Sequence, residues 1–259
     1  TICDMQQDFP ATSDYTMKTF LFLSIVLVSG FAAGIVHGLV NLAIVEPYLD
    51  NAIGIENMGK FRSGEEHDTP QFWENFNTYR IWQKQGEVLA GGILGLSVGA
   101  LFGVIFAYSR HMLPGSNHIK KALVLAGIMW FTIFFIPFLK YPANPPTVGD
   151  PNTIVLRSSL YVAIIVLSGL GALGFSRIYK RMQKNMKRVL VPIGFAGYIS
   201  IIFVLLPPSP DEITAPMDLV NGFRIASALT VTMTWIINAI ILGYLWQKFQ
   251  PHIEKDQFH

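Results

Sequence analysis

The sequence predicts an all-α protein, a polytopic transmembrane bundle of about six spans arranged as three hairpins. Three observations carry that prediction. Of the 259 residues, 51% are hydrophobic and only 14% are charged, against roughly 25% charged in soluble domains. The apolar residues gather in long runs instead of recurring at strand or surface-helix periods. Six runs, residues 20–45, 88–108, 122–139, 158–175, 189–206 and 225–246, reach about 18 residues or more, the length that crosses a ~30 Å hydrocarbon core at 1.5 Å per residue. So many runs in one short chain leave too little polar surface for water. Residues 1–259 read as a single integral membrane domain in the lipid bilayer.

The first run is a span and not a cleavable signal, because it is long, leads into "EPYLDNAIG" and shows no small-residue cleavage pattern. It carries Gly30, Gly34 and Gly38 at four-residue spacing, and the second run continues the theme with Gly91, Gly95, Gly99 and Gly103. Stripes of this kind leave a flat face on which two helix backbones approach closely. Helices one and two are therefore expected to pack tightly. His37 and Asn41 stand one turn apart on the same face of the first run, and a polar pair at membrane depth should turn toward the bundle interior. It reads either as an ion or proton site or as an interhelical hydrogen bond that helps dock helix two.

Orientation follows from Lys and Arg in the short links. Arg110, Lys120 and Lys121 lie between runs two and three, while Arg177, Lys180, Arg181, Lys184, Lys187 and Arg188 lie between runs four and five. Those two links and both termini are expected in the cytoplasm. Residues 46–87, 140–153 and 207–218 become outer loops.

The outer loops share a plan. The second packs Pro142, Pro145, Pro146 and Pro151 around Asp150 and leads into Arg157. The third carries Asp211, Glu212 and Asp218 before Arg224. Prolines fix φ and lower the entropy lost on ordering, so these loops read as stiff caps suited to gating or docking. Asp150 ahead of Pro151 is placed to cap the fourth span. Arg157 is expected to point inward to Asp150 or Glu46, and Arg224 to Asp218 or Glu212. Headgroup snorkelling is the other account of both arginines.

Enzyme templates find no purchase. There is no nucleophile elbow, HExxH or phosphate loop, and His37 is the lone intramembrane histidine, so a paired-histidine haem site is excluded. A single cysteine, Cys3, excludes a disulfide framework and a thiolate metal cluster. The "GEEHDT" stretch gathers Glu65, Glu66, His67 and Asp68, a mixed donor set that divalent transition metals accept. A solvated acidic loop is the ordinary alternative. The net charge of +2 says nothing about partners, and no nucleic-acid partner is expected.

The "EPYLDNAIGIE" exit, the glycine-rich second span, "FLKYPANPPTVGDPNTIVLR" and the later proline-rich turn with "FRIAS" together resemble the CbtA family, predicted cobalt transporter subunits, in its archaeal form. The likeness covers essentially the whole chain. Glu46, Pro47, Glu56, Lys140, Tyr141, Pro142, Asp150, Arg157 and Arg224 occupy its motif positions. The resemblance implies a membrane protein of cobalt or cobalamin metabolism, with a divalent metal ion such as cobalt as the ligand. It also implies other membrane subunits, among them a small histidine-rich partner. It implies about five spans, against the six read here. Two functions stand side by side: a non-enzymatic subunit that mediates or assists metal-ion transport, and a structural subunit that braces a larger membrane complex.

Overall fold

A computed structural model describes residues 16–253 apart from Thr147, with the side chains of residues 16, 17, 184, 185, 187, 252 and 253 left out. Cys3 lies outside the described residues. The main elements are α1 (Thr19–Ile44), α2 (Glu46–Ser63), α3 (Pro70–Ser109), α4 (His118–Met129), α5 (Ile136–Lys140), α6 (Ile154–Arg181), α7 (Lys184–Leu205) and α8 (Met217–Phe249). Six helical stretches are long and apolar enough to cross a membrane: α1, α3, α4 through α5, α6 with its leading turn, α7 from Arg188, and α8.

The largest interface joins α1 to α3, and α8 packs against both α1 and α4. These four form the core of the bundle. The α6–α7 pair sits to one side, resting on the α4–α5 helix. Although α7 and α8 follow one another in the chain, α7 finds its main partner in α6 and α8 finds its partners in α1 and α4.

The glycine stripes explain the α1–α3 contact. A Cβ placed on Gly95 would fall 2.6 Å from Gly34 Cα, and one on Gly99 would fall 2.5 Å from Gly30 Cα. At Gly91 it would meet Gly38 Cα at 3.2 Å, and at Gly103 it would strike Val26. Backbone meets backbone along this seam, so close packing replaces the hydrophobic driving force that lipid removes.

Residues 46–87 are not a loop. They form α2 and the first turns of α3, an antiparallel helical arm that continues the first hairpin beyond the apolar runs. Its boundaries have local causes. Pro47 occupies the first turn of α2, and Gly64 ends it in the left-handed conformation at φ 78°. The Thr69 hydroxyl then accepts from Phe72 N at 3.2 Å, with Pro70 in the first turn of α3. Phe61, Phe72, Trp73 and Phe76 close the tip in edge-on and stacked pairs.

The third span contains a π turn over Trp130–Phe135. Pro137 follows it and has no N–H with which to continue an α ladder, so the helix accommodates the break with an extra residue per turn. Ser168 on α6 donates to the Thr132 carbonyl inside this segment.

The two ends of the bundle differ. At one end, the link after α3 meets the last turn of α6, with Lys180 Nζ 2.9 Å from Met112 Sδ. Thr16–Met17 pairs with His252–Ile253 in a two-residue ladder, and Arg110 lies over the Trp246 ring at 5.4 Å. At the other end lie α2, the proline-rich segment and the α7–α8 connection. We call these the basic end and the acidic end.

Candidate functional site

A column of polar side chains descends from the acidic end between α1, α3 and α8. Its mouth is a charge cluster. Arg80, buried on α3, donates to both Glu46, also buried, and Asp50, the latter at 2.8 Å, and to Gln83 at 2.8 Å. Lys84 lies 2.8 Å from Asp50 and 3.8 Å from Glu46. Burial pulls the Asp50 carboxyl upward, but hydrogen bonds and charge from Lys84 and Arg80 outweigh it and hold the group below its ordinary value.

One turn deeper, the Asn41 amide donates to Glu87 Oε1, while Glu87 Oε2 is buried against the Glu46 carboxyl and, among the described residues, meets no amide, hydroxyl or cationic donor. Glu46 is a direct electrostatic neighbour of Glu87. Two carboxylates thus face one another with only one cationic cluster beside them. Asn41 Oδ1 sits 3.5 Å from the Thr230 hydroxyl of α8. One turn further, His37 Nδ1 is 2.9 Å from Thr234 Oγ1. Below it a cavity of about 90 Å³ is lined by His37, Thr234, Asn238 and the glycine stripes. Asn238 is 1% exposed, and neither its amide nitrogen nor its oxygen has a hydrogen-bond partner among the described residues. An unsatisfied buried amide costs roughly 1–3 kcal/mol, so the column carries unused coordinating capacity at both Glu87 and Asn238. Trp235 also lines the cavity, and beyond Asn238 toward the basic end the space is filled by the buried core of Phe102, Phe106, Leu242 and Trp246.

The structure places the sequence candidates in three groups. His37, Asn41 and Glu46 join the column, and the partner of His37 is Thr234 on α8, not helix two. Glu65, Glu66, His67 and Asp68 are exposed at the tip of the α2–α3 arm, where Asp68 accepts from Trp73 Nε1 at 2.7 Å. Glu56 pairs with Lys60 on the face of α2 at 2.7 Å. Among the described residues, no three His, Cys, Asp or Glu side chains converge as a resident metal centre would require.

The remaining candidates build the cap. Lys140 donates to the Phe203 carbonyl at 2.8 Å and Tyr141 to the Pro207 carbonyl at 2.6 Å, tying the proline-rich segment to the end of α7. Asp150 accepts from Asn152 N at 2.8 Å and so caps a 3₁₀ turn, Pro151–Thr153, that leads into α6. Arg157 does not take Asp150 or Glu46 as its acid. Its Nε lies 3.0 Å from Asp211 Oδ2, off the line of a hydrogen bond, and its Nη2 reaches the Asp150 carbonyl at 3.2 Å. The pair crosses between two loops because Asp211 is inserted beneath the proline turn, where Thr153 Oγ1 also donates to it at 2.8 Å. Gly149 makes room for this, at φ 125° with Arg157 Nη1 only 2.6 Å from where a Cβ would stand. Arg224 likewise pairs with neither Asp218 nor Glu212. It donates to the Ala143 carbonyl at 3.3 Å and to Asn144 Oδ1 at 2.7 Å, while Asp218 is exposed in the first turn of α8.

Sequence reading missed Glu87, Thr230, Thr234 and Asn238. Glu87 is the last polar residue before an apolar run, and that position was the signal available.

No curated protein and no solved structure matches this chain. The family model described as probable cobalt transporter subunit (CbtA) matches residues 19–247, most of the length and all six apolar helices. The chain belongs to the CbtA family of probable cobalt transporter subunits.

Proposed function

We propose that this subunit accepts a divalent cation such as cobalt(II) at the acidic end and holds it in the column between α1, α3 and α8 during transport. The observation that carries the reading is Glu87, whose second carboxylate oxygen is buried against the Glu46 carboxyl, two acceptors side by side with Asn41 next to them. A borderline divalent ion takes carboxylate, amide and imidazole donors together. Glu87 and Asn41 supply the first oxygens, Thr230 a hydroxyl, and His37 a nitrogen one turn deeper. Arg80 and Lys84 offset the mutual repulsion of the carboxylates at the mouth, and a cation bound there competes with them for Glu46. The packed core beyond Asn238 makes this an occluded half-path, so passage to the basic end requires movement of Phe102 and Phe106. No step in this scheme is enzymatic. The reading is tested by cobalt accumulation in cells expressing the chain with its transport partners. Glu87→Gln is expected to lower accumulation about tenfold or more, whereas normal accumulation with Glu87→Gln contradicts it.

The supporting-subunit reading has its own observation. Tyr79 and Trp82 stack at 5.8 Å on the arm and stand 55% and 66% exposed, a surface suited to a membrane partner. Under that reading Trp82→Ala disrupts assembly and Glu87→Gln is silent.

The cell membrane placement proposed here keeps both termini and both basic links cytoplasmic. In a Cys3→Ser background, single cysteines at Ser116 and Gln183 are expected to resist an impermeant thiol reagent in intact cells, and one at Glu66 to react. Labelling of Gln183 from outside reverses the orientation.

A further inference from the structure

A second cleft lies away from the polar column, between the α4–α5 helix, α6 and the acidic end of α8. Its volume is about 600 Å³, within the range that ligand pockets occupy. The walls are apolar and aromatic, with Phe134, Phe138 and Tyr161 among them, and the charged groups that line it are Arg157, Asp211 and Arg224. Arg157 and Asp211 offset one another. Among the described residues, Arg224 bonds only neutral oxygens, those of Ala143 and Asn144. The cleft therefore holds one uncompensated positive charge at its rim. An open groove of about 640 Å³ adjoins it, running along α6 through Ala163, Val166 and Leu167 and sharing Ser158 and Val162 with the cleft.

A charged rim opening into an apolar groove along a lipid-facing helix has the shape of an amphiphile. We propose that this cleft seats an anionic phospholipid, with its phosphodiester on Arg224 and Arg157 and an acyl chain in the α6 groove. Guanidinium forks match phosphate oxygens in pairs, and a phosphodiester carries the single negative charge that the rim lacks. A free phosphate would satisfy the arginine but leave the aromatic wall and the α6 groove unfilled. The bilayer supplies the occupant at high local concentration. In this position a lipid would fill the gap between the α6–α7 pair and α8, which the chain itself leaves open. The inference does not depend on the cation column.

Native mass spectrometry of the full chain, released from nanodiscs of equal phosphatidylglycerol and phosphatidylcholine, tests it. Wild type is expected to retain phosphatidylglycerol over phosphatidylcholine. Losing a charge-assisted hydrogen bond corresponds to about tenfold or more in retention, so Arg224→Gln should lose the preference and Arg224→Lys should keep part of it. Val162→Trp fills the groove at a residue that is 56% exposed and should release the lipid without disturbing the core. Should Arg224→Gln fail to fold, Val162→Trp decides alone. Equal retention by wild type and Val162→Trp overturns the proposal, as does displacement of the lipid by millimolar inorganic phosphate, which marks a free-anion site.

Discussion

Gly95→Leu and Gly34→Leu are each expected to unfold or separate the α1–α3 hairpin in detergent. At Gly95 the added side chain meets Gly34 Cα and backbone N, at 2.6 and 2.8 Å from the first carbon alone. A flexible side chain would rotate away, but backbone on a 26-residue helix does not. Overpacking in a core costs about 1–3 kcal/mol and occasionally more, and the rigid backbone here puts the effect at or above the upper end. Even Gly95→Ala should destabilise. The comparison residue is Gly174 on α6, where nothing lies within 4 Å of a built Cβ. There the intrinsic preference for alanine, worth roughly 0.5–1 kcal/mol in a helix, should leave Gly174→Ala neutral or slightly stabilising. Thermal melting of the purified variants reads the opposite signs. Equal melting of Gly95→Leu and wild type would remove the backbone seam from the account.

Arg80→Ala is expected to be the most damaging single loss among the charged residues. The Arg80 and Glu46 side chains are 11% and 7% exposed, and removing the guanidinium strands the carboxylate with only Lys84 at 3.8 Å. Breaking a buried ion pair from one side costs about 3–5 kcal/mol, whereas replacing both partners with apolar groups often costs little. Arg80→Met with Glu46→Met should therefore melt well above Arg80→Ala, even though it removes more charge. Arg80→Lys should fall between them, since it retains the charge but cannot reach Glu46, Asp50 and Gln83 together. A melting profile for Arg80→Ala within a degree of wild type would show that the mouth of the column is solvated.

The spans were legible in the sequence because hydropathy over about 18 residues is a one-dimensional property. The glycine stripes were legible because their four-residue spacing fixes a face without knowledge of the partner. The arm over residues 46–87 was not, since its polar helices show no apolar stripe. Its evidence lay in local punctuation, Gly64 and Thr69–Pro70, which marks helix ends. In the column, His37 and Asn41 stood out as polar residues in an apolar run. Thr230 and Thr234 did not, because a threonine in a membrane helix satisfies itself on its own backbone, as both do here at 2.9 and 2.8 Å. Only the crossing of α1 over α8 gives them a second role. Arg157 shows the same limit. Its acid, Asp211, is 54 residues away in sequence, and the nearer Asp150 is turned to capping instead.

Cobalt(II) binding to the purified full chain in detergent, measured by equilibrium dialysis, tests the central claim most directly. Wild type should bind one ion per chain, Glu87→Gln should bind none at the same concentration, and Glu66→Gln at the exposed tip should bind as wild type does. Unchanged binding in Glu87→Gln, or binding lost with Glu66→Gln instead, would contradict the account.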